Sequence, residues 1–213
     1  MPDKTVYAID LPGHGKSEGE GYHSVADYAR VILDFIQEMG IYKLILVGHS
    51  LGGMIAIQTV LNVPDRIAGL VLVSSSLDCP IPAEITQGLL NPITYQQSID
   101  WLVERLAGSE SDRRWVDATR QAVEQTRRGV LYGDLLACRA TDFNREIQQI
   151  LTPTLICYSE MDRFFPARSS RRMAKMIPNA KLECIAGAGH LIPLEKPDEL
   201  AVLINQFADS IKL

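Results

Sequence analysis

The pentapeptide Gly48-His49-Ser50-Leu51-Gly52 has the pattern G-x-S-x-G, placed directly after the apolar run Leu44–Val47 and before a helical repeat. A tight strand-to-helix turn of this kind needs small residues on its flanks, here Gly48 and Gly52. It lifts the Ser50 hydroxyl clear of a sheet, beside backbone N–H groups and a helix N-terminus. A serine hydroxyl is a poor nucleophile until a base takes its proton and a third group orients that base. The chain offers both, in the order Ser, Asp, His. Asp162 follows the apolar run Leu155–Tyr158, in Ser159-Glu160-Met161-Asp162-Arg163-Phe164-Phe165-Pro166. His190 follows Leu182–Ile185, in Gly187-Ala188-Gly189-His190. Taken singly, Ser50 could be an incidental serine in a Gly-rich turn, Asp162 a carboxylate before a helix, and His190 a capped loop histidine. Taken together, three such residues behind three apolar runs point to a serine nucleophile, a base and its orienting acid. Asp78 is the alternative acid. Gly15-Lys16-Ser17 suggests a phosphate loop, but the first glycine of G-x-x-x-x-G-K-S would fall on Asp10, so that motif fails. Asp10 and His14 are instead expected to shape a turn.

Convergence of these residues requires elements that carry them to one edge. Five short apolar runs, Val6–Ile9, Leu44–Val47, Leu70–Val73, Leu155–Tyr158 and Leu182–Ile185, lack polar alternation, as expected for strands covered on both faces of a parallel sheet. Between the first two, Val25, Tyr28, Ala29, Ile32, Phe35, Ile36 and Met39 recur at helical spacing, with Ser24 as N-cap and Gly40 as the stop. Further helices are expected from about Ser50 to Leu61, from Pro166 to about Met176, and from Pro197 onward, the last burying Leu200, Leu203, Ile204, Phe207 and Ile211. Such alternation predicts a three-layer α/β domain whose loops after the strands gather at the carboxyl edge. Residues 77–152 break the rhythm. They open with the Pro-containing Cys79–Pro82 and offer helical patterns near Thr94–Ala107, Ser111–Arg128 and Val130–Ala140. The division expected is therefore a core of residues 1–76 and 153–213 carrying a helical cap, 77–152. Trp101 and Trp115 are expected to pack the cap helices, and Met54, Phe164, Phe165, Leu191 and Ile192 to form core or pocket wall.

Composition narrows the function classes. At 213 residues, with 46% hydrophobic and 22% charged, the chain can bury roughly 70% of its unfolded surface, and it is not disordered or fibrous. A net charge of −5 argues against a nucleic-acid partner, which would need clustered Lys and Arg. The eight Arg and eleven acidic residues of segment 77–152 look like a solvated mixed surface. No apolar run is long enough to span a bilayer and the N-terminus has no apolar signal region, so no membrane association and a cytoplasmic location are expected. Cys79, Cys138, Cys157 and Cys184 are spaced too widely for a C-x-x-C pair, so free thiols are expected and a metal site is not.

With these residues in place, the chain resembles the α/β-hydrolase fold family, in its esterase and lactonase-like branch. The likeness rests on Asp10-Leu11-Pro12-Gly13-His14-Gly15-Lys16-Ser17, Gly48-His49-Ser50-Leu51-Gly52-Gly53, the Asp162 loop ending in Pro166, and Gly189-His190 followed by Glu195-Lys196-Pro197. The resemblance implies Ser50 as nucleophile, His190 as base, Asp162 as its orienter and the Leu51 N–H as one oxyanion donor, with His49, Phe164 and Leu191 against the substrate. It implies a serine hydrolase of small carboxylic esters, lactones or thioesters that needs no cofactor. Carbon–carbon or amide hydrolysis, and a binding protein retaining the three residues, are the competing readings. Ser50 excludes an aspartate nucleophile. The family has Gly where this chain has Ser159. Family members also place three strands, and a His-Gly loop supplying a second oxyanion donor, before the equivalent of Val6–Ile9. Relative to them this chain is N-terminally shortened. Val6–Ile9 is then expected to be completed by closure onto Leu44–Val47, by a further N-terminal segment, or by another chain. Association through that edge, with another chain as in a homo-oligomer or with the further segment, is expected over closure, which would require the flanking helices to repack.

Overall fold

The apolar runs and helical repeats assemble, in the computed structural model, into a four-stranded parallel sheet of order β1-β2-β3-β4, flanked by helices; the structure describes residues 4–79, 81–107 and 112–212. The strands are β1 (Leu44–His49), β2 (Ile67–Val73), β3 (Thr154–Tyr158) and β4 (Ala180–Cys184). Leu70 and Leu72 of β2 enter one apolar cluster, with α1 (Val25–Glu38), α2 (Leu51–Asn62) and Met173 of α7 (Ala167–Met176). Val71 and Val73 point to the opposite face and pack with Leu200 and Phe207 of α9 (Pro197–Ser210) and Ile192 of the short α8 (Ile192–Glu195). This period-2 division of an unbroken apolar strand is what a sheet covered on both faces requires. The architecture is thus the three-layer α/β fold expected.

Local signals set the helix ends. Ser24 Oγ accepts the Asp27 N–H at 3.1 Å, capping α1. At the far end Gly40, at φ +60°, lets the Ile41 N–H reach back to the Ile36 carbonyl at 3.0 Å and close the last turn. Pro166 is the N-cap of α7 and not its first helical residue.

Two strand expectations are corrected. Val6–Ile9 is not a strand: residues 4–10 join no ladder, Val6 is 71% exposed, and β1 pairs only with β2. Closure onto β1 therefore does not occur. An apolar run expresses a preference for extended backbone, but a strand also needs a neighbour to take its N–H and C=O groups. β4 is the other departure. It is an edge strand with exposed Lys181 and Glu183, so it is not covered on both faces.

Between β2 and β3 lie α3 (Ala83–Gly88), α4 (Tyr95–Ala107), α5 (Arg113–Gln125) and α6 (Arg128–Ala140), of which α3 has no counterpart in the sequence expectations. Pro80 and the expected helix start at Ser111 lie outside the described residues. No described residue of this segment enters the sheet. An isolated antiparallel bridge, Asp78 with Asp142, ties its two ends together, reinforced by Asn144 Nδ2 donating to Asp78 Oδ2 at 3.1 Å. Asp134 of α6 fixes the helices to the rest of the chain: its carboxylate accepts the Tyr28 hydroxyl at 2.6 Å and meets His14 Nε2 at 2.8 Å. His14 thus links the 10–17 turn to α6, in addition to the expected turn bonds that Asp10 makes with the Lys16 N–H and Ser17 Oγ. The Asp134 carboxylate raises the His14 pKa above its usual value, against an opposing desolvation. Cys79, Cys138, Cys157 and Cys184 are free thiols.

Candidate active site

Ser50 sits at the β1–α2 junction with φ +54° and ψ −121°, a backbone conformation that an L-residue with a Cβ rarely adopts. Surrounding bonds hold it there. The Ser50 N–H donates to the Val73 carbonyl at 3.0 Å, and its own carbonyl accepts the Gly53 N–H at 2.9 Å and Ser75 Oγ at 3.0 Å. A Cβ on Gly48 would meet the Gly52 carbonyl oxygen at 2.2 Å, and one on Gly53 would meet Ser75 Oγ at 2.4 Å. Nothing lies within 4 Å of a Cβ on Gly52. The turn therefore requires Gly48 and Gly53, not the Gly48 and Gly52 pair expected from the motif. The Leu51 N–H, in the first turn of α2 directly after Ser50, has no acceptor among the described residues.

The structure brings the three singled-out side chains together. His190 Nε2 lies 2.8 Å from Ser50 Oγ, and His190 Nδ1 lies 3.0 and 3.2 Å from the two Asp162 oxygens. Both His190 and Asp162 are buried. Asp162 Oδ1 also accepts the N–H groups of Phe164 and Phe165, each at 2.8 Å. Three donors, the His190 ring and the Phe164 and Phe165 N–H groups, hold this carboxylate in one orientation, which fixes the imidazole plane. Asp78 is not on the His190 ring; it is engaged with Asn144 and, at 3.7 Å, with Arg172.

Three further residues fix the loops through backbone atoms. Ser159 Oγ, fully buried, donates to the Ala188 carbonyl and accepts the Met161 N–H at 3.2 Å, clasping the Asp162 loop to the His190 loop. The Glu195 carboxylate accepts the Gly189 N–H at 3.0 and 3.1 Å. The third is His49, whose Nε2 lies 2.8 Å from the His190 carbonyl oxygen and so must carry the proton. Desolvation, then the neighbouring His190, lowers the His49 pKa to about 4, which keeps the ring neutral at pH 7. His49 thus makes a positioning contact with the His190 loop. Ser159 and Glu195 stood out in the sequence only through the family resemblance, and their bonds could not be read there, because each acts on a main-chain group that any residue could supply.

A cavity of about 470 Å³ lies beside this constellation, walled in part by Trp101, Phe164 and Phe165. The Phe164 and Phe165 rings pack on His190 with centroids at 5.0 and 5.5 Å. Leu191 is half-buried at the start of α8 and does not line the cavity. Trp115 stands away from it, under Arg114. Among the described residues no cluster of His, Cys, Asp and Glu could hold a metal ion, and no helix is long and apolar enough to cross a membrane.

A sequence model of the alpha/beta hydrolase family matches residues 3–203. The chain belongs to the alpha/beta hydrolase family. Among curated proteins it is similar to a pimeloyl-[acyl-carrier protein] methyl ester esterase of Serratia marcescens, 29% identical over 219 residues, covering 97% of this chain and 84% of that one. Among solved structures it is similar to a thermophilic esterase, with TM-score 0.85, 30% identity, and 96% and 81% of the two chains covered. A hydrolase from Pseudomonas aeruginosa PA01 shares the fold, with TM-score 0.83, 24% identity, and 93% and 77% covered.

Proposed function

We propose that this alpha/beta hydrolase is a serine hydrolase that cleaves a small carboxylic ester, lactone or thioester through an acyl-enzyme. The observation carrying the reading is the unbroken relay Ser50 Oγ to His190 Nε2 at 2.8 Å and His190 Nδ1 to Asp162 at 3.0 Å. Ser50 attacks the substrate carbonyl as His190 takes its proton. The charged imidazole is stabilised by Asp162, and the oxyanion by the Leu51 N–H at the positive end of α2. Collapse of the tetrahedral intermediate returns the proton to the leaving alcohol or thiol and leaves an ester on Ser50. Water, activated by the same His190, then releases the acid. Two relatives whose names say esterase, one of them acting on a methyl ester, favour an ester over an amide or a carbon–carbon bond. The helices between β2 and β3 act as a cap that shapes the pocket through Trp101. No cofactor takes part in the proposed steps.

The test is hydrolysis of a short-chain p-nitrophenyl ester by the wild type and by Ser50→Ala and His190→Ala. Turnover by wild type with a loss on the order of 10³-fold or more in each variant is expected, since the members act as a unit. Equal turnover by purified Ser50→Ala removes Ser50 from the mechanism.

A further inference from the structure

The cavity beside His190 has a charge distribution that ester hydrolysis does not require. Arg105 of α4, Arg163 of the Asp162 loop, and Arg168 and Arg172 of α7 all line it, and Asp78 is the only carboxylate among its described lining residues. The carboxylates in reach leave two of the four guanidinium groups unmatched. Arg172 meets Asp78 at 3.7 Å and Arg163 meets Glu104 at 3.4 Å. Arg105 lies 4.1 Å over the face of Trp101, and neither it nor Arg168 has an acidic partner among the described residues. The start of α7, at Pro166 and Ser169, also lines the cavity, and its first turn holds no acidic residue, so the positive end of the helix dipole adds to the same field. Arg105 belongs to the segment whose charges the sequence suggested were a mixed solvated surface. In the folded chain it is half-buried against an aromatic wall.

The rest of the lining is apolar, from Ile81, Pro82, Trp101, Phe164 and Phe165. Phe164 is shared: its ring packs tilted against His190 at 5.0 Å and edge-to-face with Trp101 at 6.2 Å between centroids. A ligand in the cavity is therefore one aromatic ring away from the imidazole. Guanidinium groups set among apolar walls, with the imidazole against the Phe164 ring of that wall, suit a molecule with an anionic end on an apolar chain.

We propose that this cavity is an anion-recognising subsite, in which Arg105 and Arg168, aided by Arg163 and Arg172, hold a carboxylate or phosphate at the far end of the ester substrate. This rests on the Ser50 reading above. A bidentate guanidinium contact to such a group is charge-assisted and orients the chain as well as binding it. Because the arginines are partly solvated, the preference is sensitive to salt.

The experiment compares monomethyl esters of linear dicarboxylic acids with methyl esters of monocarboxylic acids of equal chain length, and adds a phosphonate-ended ester to separate carboxylate from phosphate recognition. In wild type at low salt the charged ester is expected to have a kcat/KM about tenfold higher, expressed in KM and shrinking as salt rises. In the double variant Arg105→Gln, Arg168→Gln, the ratio is expected to fall to within about twofold of one. Arg171→Gln is the control, because Arg171 lies outside the lining and pairs with Glu160 at 2.6 Å; the wild-type ratio is expected to survive it. A wild-type ratio near one, or a ratio retained in the double variant, overturns the subsite. Should the wild type hydrolyse no ester, the Ser50 reading fails and the subsite is tested alone by calorimetry with suberate. Binding that the double variant loses then supports the subsite, and no binding to wild type overturns it.

Discussion

His49 makes the stability of the fold depend on pH in a way that can be worked out from one contact. Its ring must donate from Nε2 to the His190 carbonyl, and burial beside His190 holds its pKa at about 4, against 6.5 for an ordinary histidine. The folded pKa is depressed, so the unfolded chain binds the proton first as pH falls. The contribution of His49 is therefore fully present above pH 6.5 and is lost as pH drops towards 4. Integrating between those two values gives a loss of about 2 kcal/mol by pH 5 and about 3 kcal/mol by pH 4. His14 has the opposite sign: its pKa is raised by Asp134, so its contribution is present below 6.5 and fades as pH rises through its folded value. Comparison with His49→Gln cancels His14 and the carboxylates, and the glutamine amide can still donate to the His190 carbonyl. Urea unfolding of both proteins from pH 7.5 to pH 4 reads the difference directly. The wild type is expected to lose about 2 kcal/mol more than His49→Gln between pH 7 and pH 5. Parallel pH profiles for the two proteins would refute the buried neutral His49 and the contact that requires it.

Three other outcomes follow from the same geometry. Ser159→Ala removes the bridge between the Asp162 and His190 loops and leaves the buried Ala188 carbonyl without its donor, so a loss of about 1–3 kcal/mol in unfolding free energy and a fall in kcat are expected; unaltered kinetics would separate the bridge from the site. Gly53→Ala drives a Cβ to within 2.4 Å of Ser75 Oγ and is expected to cost about 1–3 kcal/mol, whereas Gly52→Ala, with open space around it, stays near wild type in thermal unfolding; equal melting of the two variants would contradict the crowding. Val47, 48% exposed, lies on β1, whose outer edge is unpaired among the described residues, and Val6, 71% exposed, adds apolar surface, so light scattering is expected to give a mass above the 23.6 kDa of one chain, and a clean monomer would show that this surface is tolerated in water.

What could be seen in the amino-acid order depended on whether a residue acts through its own side chain. Ser50, Asp162 and His190 are chemically distinctive and follow apolar runs, so strand positions alone placed them at one edge. Ser159, Glu195 and Ser75 hold carbonyls and N–H groups of distant loops, and no spacing rule connects position 159 with 188 or 75 with 50. His49 was visible, but not the direction of its ring, which depends on where the His190 carbonyl falls. The interior strands β2 and β3 announced themselves because both faces are apolar. At the margins the pattern failed: β4 is half-polar because one side meets water, and Val6–Ile9 has strand-like residues without a strand to pair with. The arginine-lined cavity was hidden for another reason. Arg105 and Arg168 are far apart in sequence, and only contacts of α4 with the Asp162 loop, Trp101 on Phe164 and Glu104 with Arg163, bring them to one cavity.

The central claim is that Ser50 is the nucleophile, and its most direct measurement is mass spectrometry of the intact chain and its peptides after exposure to a fluorophosphonate. One adduct per chain, on the peptide bearing Ser50, and no adduct in His190→Ala over the same time is the result expected. An unlabelled wild type, or labelling at another serine with Ser50 untouched, would contradict it.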